Sequence, residues 1–313
     1  MVARRIPLIL DVDTGVDDAL ALALALGDPS AELLAVTTVS GNVDIEQATA
    51  NTLRVLDYLG AEHIPVHRGA SKPLVREGRD ARYFHGRDGL CEAELPPSAR
   101  EAVLERGPAA IIRMARERPG EVVLVCVGPL TNLAIALNVA PDLPRLLRRV
   151  VVMGGAFHVA GNVTPHAEFN VYVDPEAAAE VFAVRDLEIT VVGLDVTRQV
   201  ALPKTVWQTA ASRDERPANL VYEVSSGIER IHGDAPIYLH DPLAVAAALD
   251  PDLLLCESRS VTVSCAQETR GEVRAERSGH VRVATAVDRQ RFTQRFASAL
   301  GLIWVEDPTS AAN

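Results

Sequence analysis

Leu10-Asp11-Val12-Asp13-Thr14-Gly15-Val16-Asp17-Asp18 lies between an apolar run from Ile6 to Leu10 and a second from Ala19 to Leu26. The first run is short and reads as a buried strand; the second is longer, rich in Ala and Leu, and reads as a helix. Asp11 to Asp18 is then a strand-to-helix turn of an α/β protein, with Gly15 relaxing the backbone. It carries four carboxylates in eight residues. Like charges so close repel one another and resist burial, and a bound cation removes the conflict. Asp13, at the strand end, and Asp18, in the first helical turn, can both point at such an ion. The helix dipole alone accounts for Asp17 or Asp18 but leaves Asp11 and Asp13 unexplained. Oxygen donors without a His/Cys cluster suit Ca²⁺ or Mg²⁺ rather than zinc.

Working outward, the pattern repeats. Leu33 to Val39, Val122 to Val127, Val150 to Met153 and Ile189 to Leu194 read as strands of a parallel sheet buried on both faces. Ile45 to Leu59, Gly107 to Arg118, Asn132 to Val139 and Pro175 to Val184 have helical patterning between them. Alternating strands and helices predict right-handed βαβ units, so an open, mostly parallel sheet flanked by helices with a Rossmann-like core. Near the C-terminus, Ser260 to Cys265, Glu272 to Arg277 and Val281 to Thr285 alternate and lie close together, which predicts a small antiparallel extension before a closing helix from Asp288 to Leu300. No repeat or composition shift marks a linker, so residues 1–313 are expected to form a single domain.

With 313 residues, nearly half of them apolar, the chain has ample core for that fold. A net charge of −11 and the lack of a long basic stripe argue against nucleic acid as a partner. Cys91, Cys126, Cys256 and Cys265 show no Cys-x-x-Cys spacing and read as free thiols. No apolar run reaches membrane-spanning length, and the one after Arg4 and Arg5 is too short for a signal-peptide core, so no membrane association and a cytoplasmic location are expected.

Ligands of open α/β sheets bind beyond the carboxyl ends of the strands. The polar turns Asp11–Asp18, Ser40–Asn42, Gly128–Asn132, Gly154–Asn170 and Asp195–Arg198 should therefore share one rim. Met153-Gly154-Gly155-Ala156-Phe157, with Gly161-Asn162 and Glu168-Phe169-Asn170 beyond it, lets backbone approach a ligand and adds donors and acceptors suited to a polyhydroxylated one, although Asn and Gly are also plain turn residues. In His240-Asp241-Pro242, Asp241 has the position of a helix N-cap with Pro242 at N1, a role compatible with metal binding. His240 is the nearby side chain whose ordinary pKa suits proton transfer. Gly128-Pro129-Leu130-Thr131-Asn132 reads as a strand-to-helix turn with Asn132 near the helix start, whose main-chain carbonyls are free to face the rim. Phe84-His85-Gly86-Arg87-Asp88-Gly89 reads equally as a lid or a surface turn.

Taken together, the chain resembles the nucleoside hydrolases, the inosine–uridine-preferring nucleoside N-ribohydrolases. The matching motifs are Asp11 to Ala19, Gly41-Asn42, His85-Gly86, Gly128 to Asn132, Met153-Gly154-Gly155, Glu168-Phe169-Asn170 and His240-Asp241-Pro242, in family order from residue 6 to about 250. The resemblance implies a Ca²⁺ held by Asp13, Asp18, Asp241 and the main-chain carbonyl of Val127. It implies ribose contacts from Asp17 and Asn170 at the 2′-hydroxyl, from Asp241 and Asn42 near the 3′ side, and from Asn162 and Glu168 at the 5′-hydroxyl. Met153 packs on the sugar, and His85 and Phe169 fall on the substrate side. Asp13 looks like the general base, His240 like a base-side residue that protonates the leaving group, and Asp11 like a support behind the turn. Homodimers or homotetramers are suggested by the resemblance alone. Two positions depart from the family pattern: Cys91 stands where Gly is frequent, and Arg198 where His is frequent.

The implied reaction is hydrolysis of a ribonucleoside to free base and ribose through an oxocarbenium-like transition state, with Asp13 activating the attacking water beside the metal. A haloacid-dehalogenase-like phosphatase is the nearest alternative, because Asp11-Val12-Asp13 after a strand mimics its nucleophile motif; Gly15 and the lack of a later Lys and acidic pair count against it. A non-catalytic calcium-dependent nucleoside-binding protein would need neither Asp13 as base nor His240. Base-side contacts are expected from mobile segments at Arg76 to Cys91 and Glu223 to Tyr238, the latter offering Glu223, Arg230, His232 and Tyr238.

Overall fold

The apolar run that opens the chain is the strand β1 (Ile6–Val12), buried on both faces. Leu8, Leu10 and Val12 belong to one apolar core and Ile9 to the other, so the strand must lie inside a sheet covered on both sides. The computed structural model describes residues 4–213 and 215–304; the ends of the expected span 1–313 lie outside the described residues. Within them, β1 is followed by β2 (Ala31–Thr38), β3 (Val66–Arg68), β4 (Val123–Cys126), β5 (Arg149–Met153) and β6 (Ile189–Val192). A short antiparallel pair, β7 (Ala201–Leu202) and β8 (Ile237–Tyr238), stands apart. The chain then returns to the main sheet as β9 (Leu254–Val263), β10 (Val273–Arg277) and β11 (Val281–Val287).

The main sheet has the order β10-β9-β11-β6-β5-β4-β1-β2-β3. Neighbours from β3 to β11 are parallel, and β9 runs antiparallel to both β11 and β10. The expected parallel sheet and C-terminal antiparallel extension are both present. From β1 the chain winds outward through β2 and β3, then returns to the other side of β1 and winds away through β4, β5 and β6. The order therefore reverses between β1 and β4, the place where such sheets open a crevice at their carboxyl ends.

Helix Val16–Gly27 follows β1, and all of its residues from Ala19 to Ala25 are buried. It is apolar on every side because the sheet covers one flank and helix His240–Leu249 the other. That contact carries Asp241 to Asp17 and Asp18 across more than two hundred residues of sequence.

Four expectations are corrected. Helix His240–Leu249 begins at His240 with Leu239 as its N-cap, so Asp241 lies inside the first turn and caps nothing. Strand β3 has too few residues to register as an apolar run, and β9 begins at Leu254, six residues before Ser260; its half-exposed alternation hides it from a search for continuous apolarity. The run from Ile189 stops at Val192, because Gly193 is already the N-cap of the short helix Leu194–Thr197. Much of Glu223 to Tyr238 is helix Arg216–His232, packed through Leu220, Val221, Val224 and Ile228. All four cysteines are free thiols. No helix among the described residues is long and apolar enough to cross a membrane.

Candidate active site

Beyond β1 the chain turns sharply at Gly15, the N-cap of helix Val16–Gly27. A Cβ there would sit 2.5 Å from the His85 ring nitrogen Nδ1, so only glycine lets the two segments meet. Asp18, third residue of the helix, folds back: Oδ1 accepts from the Asp13 N–H (3.1 Å), and Oδ2 from the Gly15 N–H (2.8 Å) and Asn42 Nδ2 (3.1 Å). It is thus a helix cap as well as a candidate ligand. Asp13 Oδ2 accepts from the Asn42 N–H at 2.7 Å.

Two carboxylate oxygens here, Asp13 Oδ1 and Asp17 Oδ1, are buried without a hydrogen-bond donor. Carboxylate oxygens of Asp17, Asp18 and Asp241 come within 4.8 Å of one another. Burial first, and then mutual repulsion, raises Asp13 and Asp241 well above the ordinary carboxylate range and Asp17 to about 7; burial raises Asp18 as well. Such a set coexists either by holding protons or by sharing a cation. Orphaned oxygens, hard donors and convergent carboxylates fit a calcium-type ion.

Asp11, the penultimate residue of β1, is fully buried two residues before Asp13. Its Oδ1 accepts from the Thr37 hydroxyl and from Asn132 Nδ2 (2.7 Å), and Asn132 Oδ1 in turn accepts from the Ala70 N–H. Its main-chain carbonyl accepts from the Val127 N–H at 2.9 Å. Asp11 therefore ties the ends of β1 and β2 and the turn after β4 into one block. Burial drives its carboxyl to about 7. Asp11→Ala strips two buried donors of their acceptor and is expected to cost about 2–4 kcal/mol, with Asp11→Asn costing less because it keeps Oδ1. Chemical denaturation measures both, and a loss below about 1 kcal/mol for the alanine variant would contradict this role.

Above this floor opens a cavity of about 370 Å³. Asp17, Asn42, His85, Val127, Met153, Asn162, Glu168, Phe169, Asn170, His240 and Asp241 all line it. Asp13 and Asp18 do not; both are fully buried behind the floor. Asn170 spends Nδ2 on the carbonyls of Val127 (2.7 Å) and Met153 (3.2 Å), which fixes its ring of contacts at the ends of β4 and β5. Glu168 caps helix Phe169–Val173, accepting from the N–H groups of Asn170 and Val171, and also from Gly155 (3.0 Å). Its carboxylate thereby holds the Gly154-Gly155 turn as well as facing the cavity.

The two histidines are neutral at ordinary pH. His85 Nδ1 accepts from the Val16 N–H at 3.2 Å, so its proton sits on Nε2; burial pushes its pKa down to about 3. His240 shares a 2.7 Å hydrogen bond between Nδ1 and Thr197 Oγ1. Burial, and secondarily the Arg198 guanidinium, lowers it to about 4. Desolvation thus favours the uncharged ring and moves His240 away from its ordinary value.

Of the four residues offered by Glu223 to Tyr238, Tyr238 alone lines the cavity. Glu223 accepts from the Glu94 N–H, Arg230 donates to the Cys91 carbonyl (2.7 Å), and His232 Nε2 meets the Phe84 carbonyl (2.8 Å) while stacking on the Phe84 ring. They fasten helix Arg216–His232 to the segment carrying Tyr83, Phe84 and His85. That segment bends through Cys91 (φ 51°) and Glu92 (φ 53°), a left-handed backbone that favours glycine. Tyr83, Thr197 and Arg198 were not singled out as site residues. Tyr83 is an exposed aromatic with no sequence signal, whereas Thr197 and Arg198 lie in one of the polar turns that end strands.

The family model described as inosine-uridine preferring nucleoside hydrolase matches residues 8–294, and the chain belongs to that family. It is a nucleoside hydrolase, and the phosphatase and non-catalytic readings give way. It is 35% identical to probable uridine nucleosidase 2 of Arabidopsis thaliana over 86% of this chain and 85% of that one. It is 36% identical to a non-specific ribonucleoside hydrolase, RihC, of Escherichia coli over 95% of this chain and 99% of that one. The solved plant nucleoside hydrolase PpNRh1 superposes with a TM-score of 0.90 at 35% identity, covering 94% of this chain and 98% of that one.

Proposed function

We propose that the chain hydrolyses ribonucleosides to free base and ribose in a calcium-dependent reaction, with Asp13 as general base. The observation that carries this reading is the buried carboxylate floor with two orphaned oxygens beneath a cavity walled by hydroxyl-binding groups. Asp13, Asp18, Asp241 and the Val127 carbonyl would hold the ion. A bound Ca²⁺ supplies there the positive charge that grips a vicinal diol and acidifies water.

The side chains do the rest. Asp17 and the Asn170 carbonyl oxygen accept from the 2′-hydroxyl, Asn42 and Asp241 serve the 3′ side, and Met153 lies against the sugar. Asn162 and Glu168 face the 5′-hydroxyl. Asp13 takes a proton from water as the oxygen attacks C1′, and the C1′–N bond breaks with its electrons passing to the base. His85, protonated on Nε2, faces the departing base as a neutral donor, and His240 joins it in the tautomer whose Nδ1 accepts from the Thr197 hydroxyl, so leaving-group assistance comes from an imidazole N–H and not from imidazolium. The printed names of the relatives differ over the base, uridine for one and non-specific for another. Base choice is accordingly a property of the Tyr83–His85 and Tyr238 wall.

A reducing-sugar assay across inosine, uridine, cytidine and adenosine, with and without chelator, tests the proposal. Ribose release is expected from at least one ribonucleoside and to be lost with chelator. Deoxyuridine should fall at least ~100-fold below uridine in kcat/KM, because a site built for a hydroxyl leaves its polar groups unpaired when that hydroxyl is missing. Equal values for the two would overturn the diol-binding role.

A further inference from the structure

The segment after β5, from Phe157 to His166, brings Asn162 to the cavity wall, and its apolar packing is confined to Phe157 and Val163. His158, Val159, Ala160, Asn162, Pro165 and His166 are exposed. Its internal bonds are few: Gly161 N–H to the Pro165 carbonyl, and Asn162 and Val163 N–H to the Ala167 carbonyl, each 3.2 Å. Besides those bonds to buried Ala167 and the packing of Phe157 and Val163, the turn Asp195-Val196-Thr197-Arg198 ties it to the rest of the protein. Asp195 accepts from the N–H groups of Phe157 (2.9 Å) and His158 (2.8 Å) at the near end. Arg198 donates from Nη1 to the Ala160 carbonyl (2.6 Å) and from Nη2 to the Gly161 carbonyl (3.1 Å), immediately before Asn162. Between them, Thr197 holds His240. One turn of helix thus steadies the segment carrying Asn162 and the imidazole on the base side.

We propose that Arg198 is a positioning residue which, by gripping the Ala160 and Gly161 carbonyls, holds Asn162 against the 5′ end of the nucleoside and so sets the enzyme's demand for a 5′-hydroxyl. The proposal rests on the ribonucleoside reading above. Its physical core is the guanidinium fork, which serves two adjacent carbonyls at once. Lysine keeps the charge but offers one flexible ammonium, and neutral histidine, a shorter side chain, offers a single N–H. Arg198 also lines the cavity, so the grip is made where the substrate arrives.

The test uses the full chain with calcium, comparing kcat/KM for uridine and inosine with their 5′-deoxy analogues in wild type, Arg198→Ala and Arg198→Lys. Hydrogen exchange at the amides of Gly161, Asn162 and Val163 is followed in parallel. Wild type should prefer the 5′-hydroxyl substrate by about tenfold or more. Arg198→Ala should lose most of that preference, chiefly through a raised KM for the natural nucleoside with the 5′-deoxy analogue little changed, and Arg198→Lys should restore part of it. The three amides should exchange faster in Arg198→Ala. Equal losses on both substrates, a wild type indifferent to the 5′-hydroxyl, or unchanged exchange would each overturn the assignment. A wild type inert on every ribonucleoside would instead sink the ribonucleoside reading, with the exchange readout still judging the grip of Arg198.

Discussion

Asp13→Ala is expected to lower kcat by about 10³–10⁴-fold while weakening ribose binding far less, the range a positioned general base contributes together with its share of electrostatic stabilisation. Asp13 sits behind the floor of the cavity. It is fully buried, it accepts from the Asn42 N–H through Oδ2, and its other oxygen has no donor. That free oxygen is the one proposed to take the proton from water. Steady-state kinetics at saturating nucleoside, with ribose affinity measured separately, checks the prediction. A near-normal kcat would remove Asp13 from the base role; an equal collapse of ribose affinity would make it a ligand and nothing more.

The second large effect concerns removal of the ion. Chelation should abolish turnover, and the thermal stabilisation that calcium gives should grow with pH. In the folded chain Asp13, Asp18 and Asp241 are raised above the ordinary 3.8, and Asp17 to about 7. A raised folded-state pKa means that the metal-free native state binds more protons than the unfolded chain between about 4 and about 7. The stability tied to those protons is fully present below that window and is lost as pH rises through it. His85 and His240 act in the opposite sense, since their folded values of about 3 and about 4 lie below the ordinary 6.5, so their contribution grows as pH climbs toward that value. The difference in Tm with and without calcium separates the two, because the ion binds only the deprotonated carboxylates. It should be small near pH 4.5 and reach roughly 5 °C or more near pH 8 with calcium well above its Kd. Scanning calorimetry decides, and a shift of equal size at both pH values would contradict a carboxylate-held ion.

Much of the fold was legible because parallel strands covered on both faces leave an unmistakable signature. Ile6 to Leu10 and Val122 to Val127 are apolar without interruption, and the helices between them follow. What escaped was marginal in burial. β3 is three residues long, and the first half of β9 alternates with exposed positions such as Leu255. The site was legible in the turns that end strands, since a strand's exit is both where ligands bind and where polar residues stand out. Asp241 was misplaced by two helical positions, as His-Asp-Pro fits either register until the neighbouring helix is seen. The protonation of His240 was illegible for a deeper reason. An ordinary pKa belongs to a solvated ring, and desolvation by groups distant in sequence decides the buried one. Thr197 and Arg198 were in plain view, but their partners, His240 and the carbonyls before Asn162, are visible only in three dimensions.

Helix Arg216–His232 and the segment bearing Tyr83 to His85 are joined by Arg230, His232 and the stacked Phe84 ring, and a side chain at Gly227 would strike Cys91. The two segments proposed to face the base are therefore a matched pair of castings rather than independent flaps. Anyone wishing to graft the base preference of another nucleoside hydrolase onto this scaffold has to transplant both pieces as one cassette, since either alone arrives without its counterpart.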